Sequence, residues 1–206
     1  MTATKTDLKR ELSDCYIATA TPRIVDVPEM GFLMIDGAGA PGGPAFQEAI
    51  GALYSVVYTA KFALKATGWD HVVMPLEGLW VWPEGVPAES ADIADAAWTL
   101  QIAEPDEVTS EVFYESLAAS RKKRPNPALD RLRLERFHEG EAAQILHTGP
   151  YDAERPSIAG LHVFLEEEGY DARGAHHEIY LSDPSRTSPE RLKTIIRQPV
   201  IPRSPH

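Results

Sequence analysis

The chain has 206 residues, a net charge of −11 and 43% hydrophobic residues, so a substantial core is available while phosphate backbones and anionic membranes are repelled. No apolar run approaches the roughly 20 residues a membrane span needs, and the first fourteen residues lack the apolar segment of a signal peptide. One cysteine, Cys15, excludes an internal disulfide framework and suits a reducing compartment, so a soluble cytoplasmic protein without nucleic-acid or membrane partners is expected.

In chain order, residues 1–21 read as an N-terminal extension with a short helical pattern at Leu8, Leu12 and Tyr16. Ile24 to Val27 predicts a short strand ended by Pro28, and Gly31 to Asp36 a buried strand running into the loop Gly37 to Gly43. Pro44 suits the first position of a helix. From there Phe46, Ile50, Leu53, Tyr54, Val57, Tyr58 and Phe62 keep helical spacing up to Gly68, which fits a C-terminal cap. His71 to Trp82 predicts a strand interrupted near Pro75 and Gly78. A Pro/Glu/Ala-rich loop then leads to an alternating strand, Trp98 to Ala103. Thr109 followed by acidic residues starts a helix over 111–122.

After the proline-marked, basic connection 121–127, Leu132, Leu134 and Arg136 lead into a strand. A turn at Glu139-Gly140 and a second strand, Ala142 to Thr148, follow. Gly149-Pro150-Tyr151 reads as a loop, Glu154 to Glu168 as a helix ending at Gly169, 174–182 as a strand and Leu192 to Pro199 as the last strand. Residues 31–103 and 141–200 thus share the order strand, helix, strand, strand. The expectation is an α+β fold built from a duplicated module, 22–124 and 125–201, related by a pseudo-twofold axis. Sheets should be mostly antiparallel, with helices on one face and a ligand cleft between the modules.

The featured stretch is His176-His177-Glu178-Ile179-Tyr180. Strand alternation points His176, Glu178 and Tyr180 one way and His177 and Ile179 the other, which removes His177 as a candidate. A carboxylate between an imidazole and a phenol on one face is either solvated or used, because burying it unpaired is costly. Trp80 and Trp82 share one strand face, with Glu77 upstream. Tyr54 and Tyr58 are one helical turn apart, and Tyr151 follows a Gly-Pro. Aromatic walls with a carboxylate suit flat, apolar or cationic molecules.

Three other signals are weak. Gly37-Ala38-Gly39-Ala40-Pro41-Gly42 matches G-x-G-x-x-G, but Pro41 removes one of the N–H groups a pyrophosphate needs and no acidic residue follows at the expected distance. The seven histidines form neither H-x-H nor H-E-x-x-H, so His147, His176 and Glu178 predict no metal site, and no cofactor is expected. The basic residues of 121–136 read as a solvated face.

Val25-Asp26-Val27-Pro28, Phe32-Leu33-Met34-Ile35-Asp36-Gly37, Val73-Met74-Pro75-Leu76-Glu77-Gly78-Leu79-Trp80, His147-Thr148-Gly149-Pro150-Tyr151 and His177-Glu178-Ile179-Tyr180-Leu181-Ser182-Asp183-Pro184 occur in an order and spacing that resembles the stand-alone GyrI-like small-molecule-binding proteins over roughly residues 5 to 200. The resemblance implies a duplicated module with a ligand cleft between its halves. Related domains serve as drug sensors in transcription regulators, whose N-terminal DNA-binding domain has no counterpart here. Some stand-alone members are cyclopropanoid cyclase hydrolases.

By position in the motif, Glu178 is implied as the cleft glutamate and Tyr151 as the tyrosine of the Gly-Pro-Tyr loop. In a hydrolase of electrophilic aromatic compounds, Glu178 would activate water and Tyr151 or Tyr180 would donate to the developing oxyanion. Trp80, Trp82 and Tyr54 would clamp the rings, with His176, Glu77 and His147 lining the site. The alternative is a non-catalytic protein that sequesters hydrophobic or cationic aromatic compounds.

Overall fold

The computed structural model describes residues 5–82 and 93–203; most of the Pro/Glu/Ala-rich loop after Trp82 lies outside them. Two one-turn helices, α1 (Leu8–Glu11) and α2 (Ser13–Tyr16), precede β1 (Arg23–Ala38), α3 (Pro44–Ala66), β2 (Leu76–Val81), β3 (Ala97–Glu104) and α4 (Ser110–Lys123). Then come β4 (Arg133–Thr148), α5 (Arg155–Glu168), β5 (Tyr170–Ala172), β6 (His176–Tyr180) and β7 (Lys193–Pro202). Strand, helix, strand, strand recurs as β1-α3-β2-β3 and as β4-α5-β6-β7.

All strand pairs are antiparallel, in the order β4-β1-β3-β2-β6-β7-β5. β4 also pairs with β7, so the sheet closes on itself: Ala142 stands opposite Val25 on one side and Pro199 on the other. The two repeats meet at β2–β6, where Gly78 is the partner of Glu178. A closed sheet has an inner and an outer face. The registers carry Ile35, Leu100, Gly78 and Glu178 on the outer face and Met34, Gln101, Glu77 and Ile179 on the inner one.

Because both faces of β1 are covered, Phe32, Leu33, Met34 and Ile35 are all buried, which is why this stretch is continuously apolar in sequence. α3 starts with Pro44 at its first position and buries Phe46, Ala49, Leu53, Val56, Val57 and Ala60, the stripe its 3- and 4-residue spacing dictates. It ends where Trp69 N–H returns to the Leu64 carbonyl, with Gly68 beyond the last turn. Phe46 stacks on Trp80 at 6.0 Å and meets Trp98 edge-on at 5.3 Å. α5 buries Leu161 and Leu165 against Ala143, Ile145, Ile196 and Val200; each such leucine contributes about 1.5–3 kcal/mol. α3 and α5 thus cover the outer face on either side of the β2–β6 seam.

Three expected boundaries differ. Pro28 does not end a strand: β1 runs through it, and the Glu139 carbonyl on the facing strand is served by the Arg173 guanidinium. Glu139-Gly140 is not a hairpin turn but lies inside the single strand β4, with Gly140 at φ 71°. Of the expected strand 71–82 only Leu76–Val81 is regular, while His71 forms an isolated bridge with Thr6. The glycine-rich loop after β1 is explained by packing. A Cβ on Gly37 would lie 2.1 Å from the Trp98 ring, whose indole N–H donates to the Gly39 carbonyl at 3.1 Å.

Candidate functional site

β6 places His176, Glu178 and Tyr180 on the outer face between α3 and α5. The Glu178 carboxylate is 4% exposed and accepts from His176 Nε2 at 3.2 Å and from Tyr180 Oη at 2.9 Å. Room for this comes from Gly78 on β2. A Cβ there would lie 2.9 Å from Trp80 Nε1 and 3.0 Å from Tyr180 Oη, so both rings lean across the glycine directly beside Glu178. The Tyr180 hydroxyl is pushed well above its usual range, by burial first and then by the Glu178 charge. Its proton stays on the phenol and is committed to Glu178.

A second carboxyl joins the first. Glu154 occupies the N-cap position of α5, where an acidic side chain ordinarily accepts from the helix N–H groups. Here it makes no cap hydrogen bond and turns inward against Glu178, 4% exposed. Its Oε1 and Thr194 Oγ1 are buried and make no well-formed hydrogen bond among the described residues, although Thr194 is near enough to lower the Glu154 pKa slightly. Burial, and after it the Glu178 charge, push the Glu154 pKa up to about 9. Burial and the neighbouring charge thus favour the protonated form of Glu154.

Tyr151 opens the one-turn helix Tyr151–Ala153 before α5 and sets its ring edge-on to Tyr180 at 5.7 Å. It is 40% exposed, and its hydroxyl makes no hydrogen bond among the described residues, so it is available to a ligand. Trp82 packs against His176 at 5.9 Å. On the α3 side, a depression of about 230 Å³ is walled by Lys9, Tyr54, Tyr58, Met74, Tyr180 and Leu181. Tyr54, Trp82, Tyr151, Tyr180, His176 and Glu178 therefore surround one region of the outer face.

Three expected site residues lie elsewhere. Trp80 is 1% exposed and sandwiched with Phe46, so it is a core residue whose indole edge alone reaches the site. His147 has both ring nitrogens occupied: the Pro150 carbonyl (3.3 Å) can only accept, which puts the proton on Nε2 and leaves Nδ1 to accept from Ser157 Oγ at 3.0 Å. It ties the Gly-Pro-Tyr loop and α5 to β4 and positions Tyr151 rather than lining the site.

Glu77 is on the inner face. It accepts from Tyr16 Oη at 2.8 Å, Gln101 Nε2 at 2.9 Å and His177 Nε2 at 3.0 Å. His177 Nδ1 reaches Glu139 at 2.8 Å, and Glu139 takes Arg197 Nη1 at 2.8 Å. Arg197 also donates to Gln144 and to the Cys15 carbonyl. Burial alone would raise the Glu139 pKa, but the charges on His177 and Arg197 outweigh it and hold Glu139 down at about 2. Burial opposes the imidazolium of His177, yet Glu139 and Glu77 raise it to about 9. This is a closed cage of paired charges behind the site strand.

Nothing in the sequence alone marks Glu154 as a site residue. As an acidic residue before Arg155-Pro156 it reads as an ordinary helix start. The nearest thing to a signal is its place one turn after Tyr151 at a junction fixed by Pro156. Among the described residues no group of three or more His, Cys, Asp or Glu side chains is arranged to hold a metal ion.

Residues 20–201 match the family model of the GyrI-like small-molecule-binding domain. Among solved structures, an uncharacterized conserved protein from Listeria innocua is 41% identical, with 96% of this chain and all of that chain covered and a TM-score of 0.88. A structure described as a hydrolase from Listeria innocua is 39% identical over 96% of this chain and all of its own, with a TM-score of 0.84. The C-terminal domain of EcmrR, at 14% identity, 88% and 98% coverage and a TM-score of 0.55, shares the fold alone. No protein of curated function matches.

Proposed function

The chain belongs to the GyrI-like small-molecule-binding family, and on that footing we propose that it adds water to electrophilic aromatic compounds of the cyclopropanoid type and so detoxifies them. The supporting observation is the pairing of two buried carboxyls, one of which holds a proton while the other accepts from His176 and Tyr180. Such a pair supplies a base and an acid at one pH. The hydrolase from Listeria innocua, at 39% identity, is consistent with this reading.

In the proposed step Glu178 takes a proton from water as the water oxygen bonds to the cyclopropane carbon. The strained carbon–carbon bond breaks, and its electron pair moves through the conjugated system onto the carbonyl oxygen, which becomes a phenol on receiving the Glu154 proton. Tyr151 donates a hydrogen bond to that oxygen as charge develops. Tyr180, expected as an alternative donor, orients Glu178 instead. Tyr54 and Trp82 hold the flat rings so that the ring carbon faces the water.

The test is incubation of the purified protein with a cyclopropane-bearing alkylator, followed by mass spectrometry for addition of one water. Glu178→Gln is expected to lower turnover about 10²–10⁴-fold. Recovery of unchanged compound at stoichiometric binding would instead establish a sequestering protein. One observation favours that reading: the aromatic depression is open to solvent while Glu178 is 4% exposed, so a ligand could rest on the rings without reaching the carboxyls.

A further inference from the structure

The aromatic residues of α3 do not stop at the candidate site. Tyr54, Tyr58 and Phe62 form a ladder one turn apart, with ring centroids at 6.0 and 6.3 Å and tilts of 30° and 26°. Tyr58 is 45% and Phe62 59% exposed, a contiguous apolar strip that water penalises. The strip forms one wall of a groove of about 790 Å³ between α3 and α4, and Lys123, Arg124 and Asn126 line its other wall beside Gly51 and Ser55, across α3 from Tyr54, where Asn126 Nδ2 donates to the Glu48 carbonyl. Its volume is within the range of small-molecule sites. Tyr54 and Tyr58 wall both this groove and the depression at Tyr180, so the two hollows meet along the same pair of rings.

The α4 wall carries two adjacent cations. Arg121, one position earlier on α4, is paired with Asp130 at 2.7 Å, whereas Lys123 and Arg124 make no ion pair among the described residues. Two such cations across α3 from Tyr54, on a chain of net charge −11, are a local reversal of sign; Lys9, at the Tyr180 depression, is a single one. Stacking on Tyr54 and Tyr58 and an anion at Lys123 and Arg124 match the aromatic and the cationic sides of the groove.

We propose that the α3–α4 groove is a distal subsite for an extended, multi-ring aromatic ligand whose far end carries an anionic group. The ligand's near ring lies at Tyr180, its middle crosses Tyr54 and Tyr58, and its anionic end meets Lys123 and Arg124. The proposal rests on the reading of the Glu178 region as a small-molecule site, but not on whether that site is catalytic.

The full chain is titrated by visible difference spectroscopy with methyl orange, an elongated azo dye with a neutral dimethylanilino end and a sulfonate at the other. The control is 4-aminoazobenzene, of similar length without the anion. Methyl orange should bind about tenfold more tightly. Lys123→Gln with Arg124→Gln, both on the surface, should abolish that preference and leave 4-aminoazobenzene unchanged. Tyr58→Ala, which removes a ring the ligand crosses, should weaken both dyes by about threefold to tenfold. 1-Naphthol, long enough only for the Tyr180 end, should compete with methyl orange.

Equal affinity for the two dyes, a preference that survives the double substitution, or absence of competition by 1-naphthol each overturns the proposal. So does sedimentation of a dimer that Phe62→Ala dissociates, which would make the strip a contact between copies. Failure of alkylator hydrolysis with the dye preference intact refutes the proposed reaction and leaves the subsite standing.

Discussion

Two glutamates with the same side chain meet at the candidate site, and their surroundings make them different. Glu178 is met by two donors, whereas Glu154 forgoes the cap of its own helix and lies against a neighbouring carboxylate with one oxygen that makes no well-formed hydrogen bond among the described residues. Keeping Glu154 neutral costs stability above its ordinary pKa of 4.5, because the unfolded chain releases a proton that the folded one retains until about pH 9. Glu154→Gln keeps the shape and removes that cost. Its melting temperature at pH 8 should therefore exceed that of the parent while the two agree near pH 4.5, and water addition should fall about 10²-fold with binding unchanged. Scanning calorimetry at the two pH values and single-turnover kinetics check the two halves of the statement. At Gly78 the limit is space. Gly78→Ala pushes a methyl group into the Trp80 and Tyr180 rings, and an overpacking loss of about 1–3 kcal/mol in chemical denaturation is expected.

At the scale of elements, the site depends on how β1 and α3 are joined. The loop between them holds the Trp98 indole over Gly37 and by its N–H to Gly39, and Trp98 in turn supports Phe46 at the start of α3. Gly37→Ala displaces backbone or ring and should destabilise by about 1–3 kcal/mol, read as a lower denaturation midpoint with loss of near-ultraviolet tryptophan signal. A nucleotide-binding loop at the same place would have given stabilisation by added dinucleotide, which is not expected. α5 plays the matching part on the other side of the seam. Pro156 fixes its start, and His147 ties the preceding loop to β4, so Tyr151 and Glu154 arrive together.

At the scale of the molecule, closure of the sheet through β4 turns an inner face into an interior, and that interior contains charge. Glu77, Glu139, His177 and Arg197 balance one another there, joined by Tyr16 from the N-terminal segment. Arg197→Met leaves Glu139 short of a partner and should cost about 3–5 kcal/mol.

The same charges set a pH dependence. Between pH 6.5 and 8 the folded chain retains protons on His177 (to about 9), Glu154 (to about 9) and Glu104, buried at the end of β3 and pushed up by that burial to about 8, that the unfolded chain has released. His71, which burial holds down at about 4, works the other way near pH 6.5 but is one group against three. Stability must therefore fall as pH rises through this window, by up to about 1.4 kcal/mol per pH unit for each retained proton. Calorimetric scans at pH 6.5, 7.25 and 8 should show melting temperature decreasing in that order.

Local periodicity made the helices of α3 and α5, the buried run of β1 and the alternation of β6 legible, because each records one covered or uncovered face. The sequence by itself determined that His176, Glu178 and Tyr180 share a side and that His177 faces the other, since strand alternation allows nothing else. Only the tertiary structure decided which side is the interior cage and which is the candidate site. Glu77 and Glu178 are both strand carboxylates beside aromatic residues, and the antiparallel register of β2 on β6 sends one inward to His177 and leaves the other outward beside Glu154. Pro28 and Gly140 likewise read as stops because local propensity favours a stop there. Pairing of two 16-residue strands carries the chain through both, since hydrogen bonds supplied from a distant arginine outweigh a local preference. Glu154 belongs with these: its side chain gains its role from a carboxylate 24 positions away, a proximity that folding alone creates.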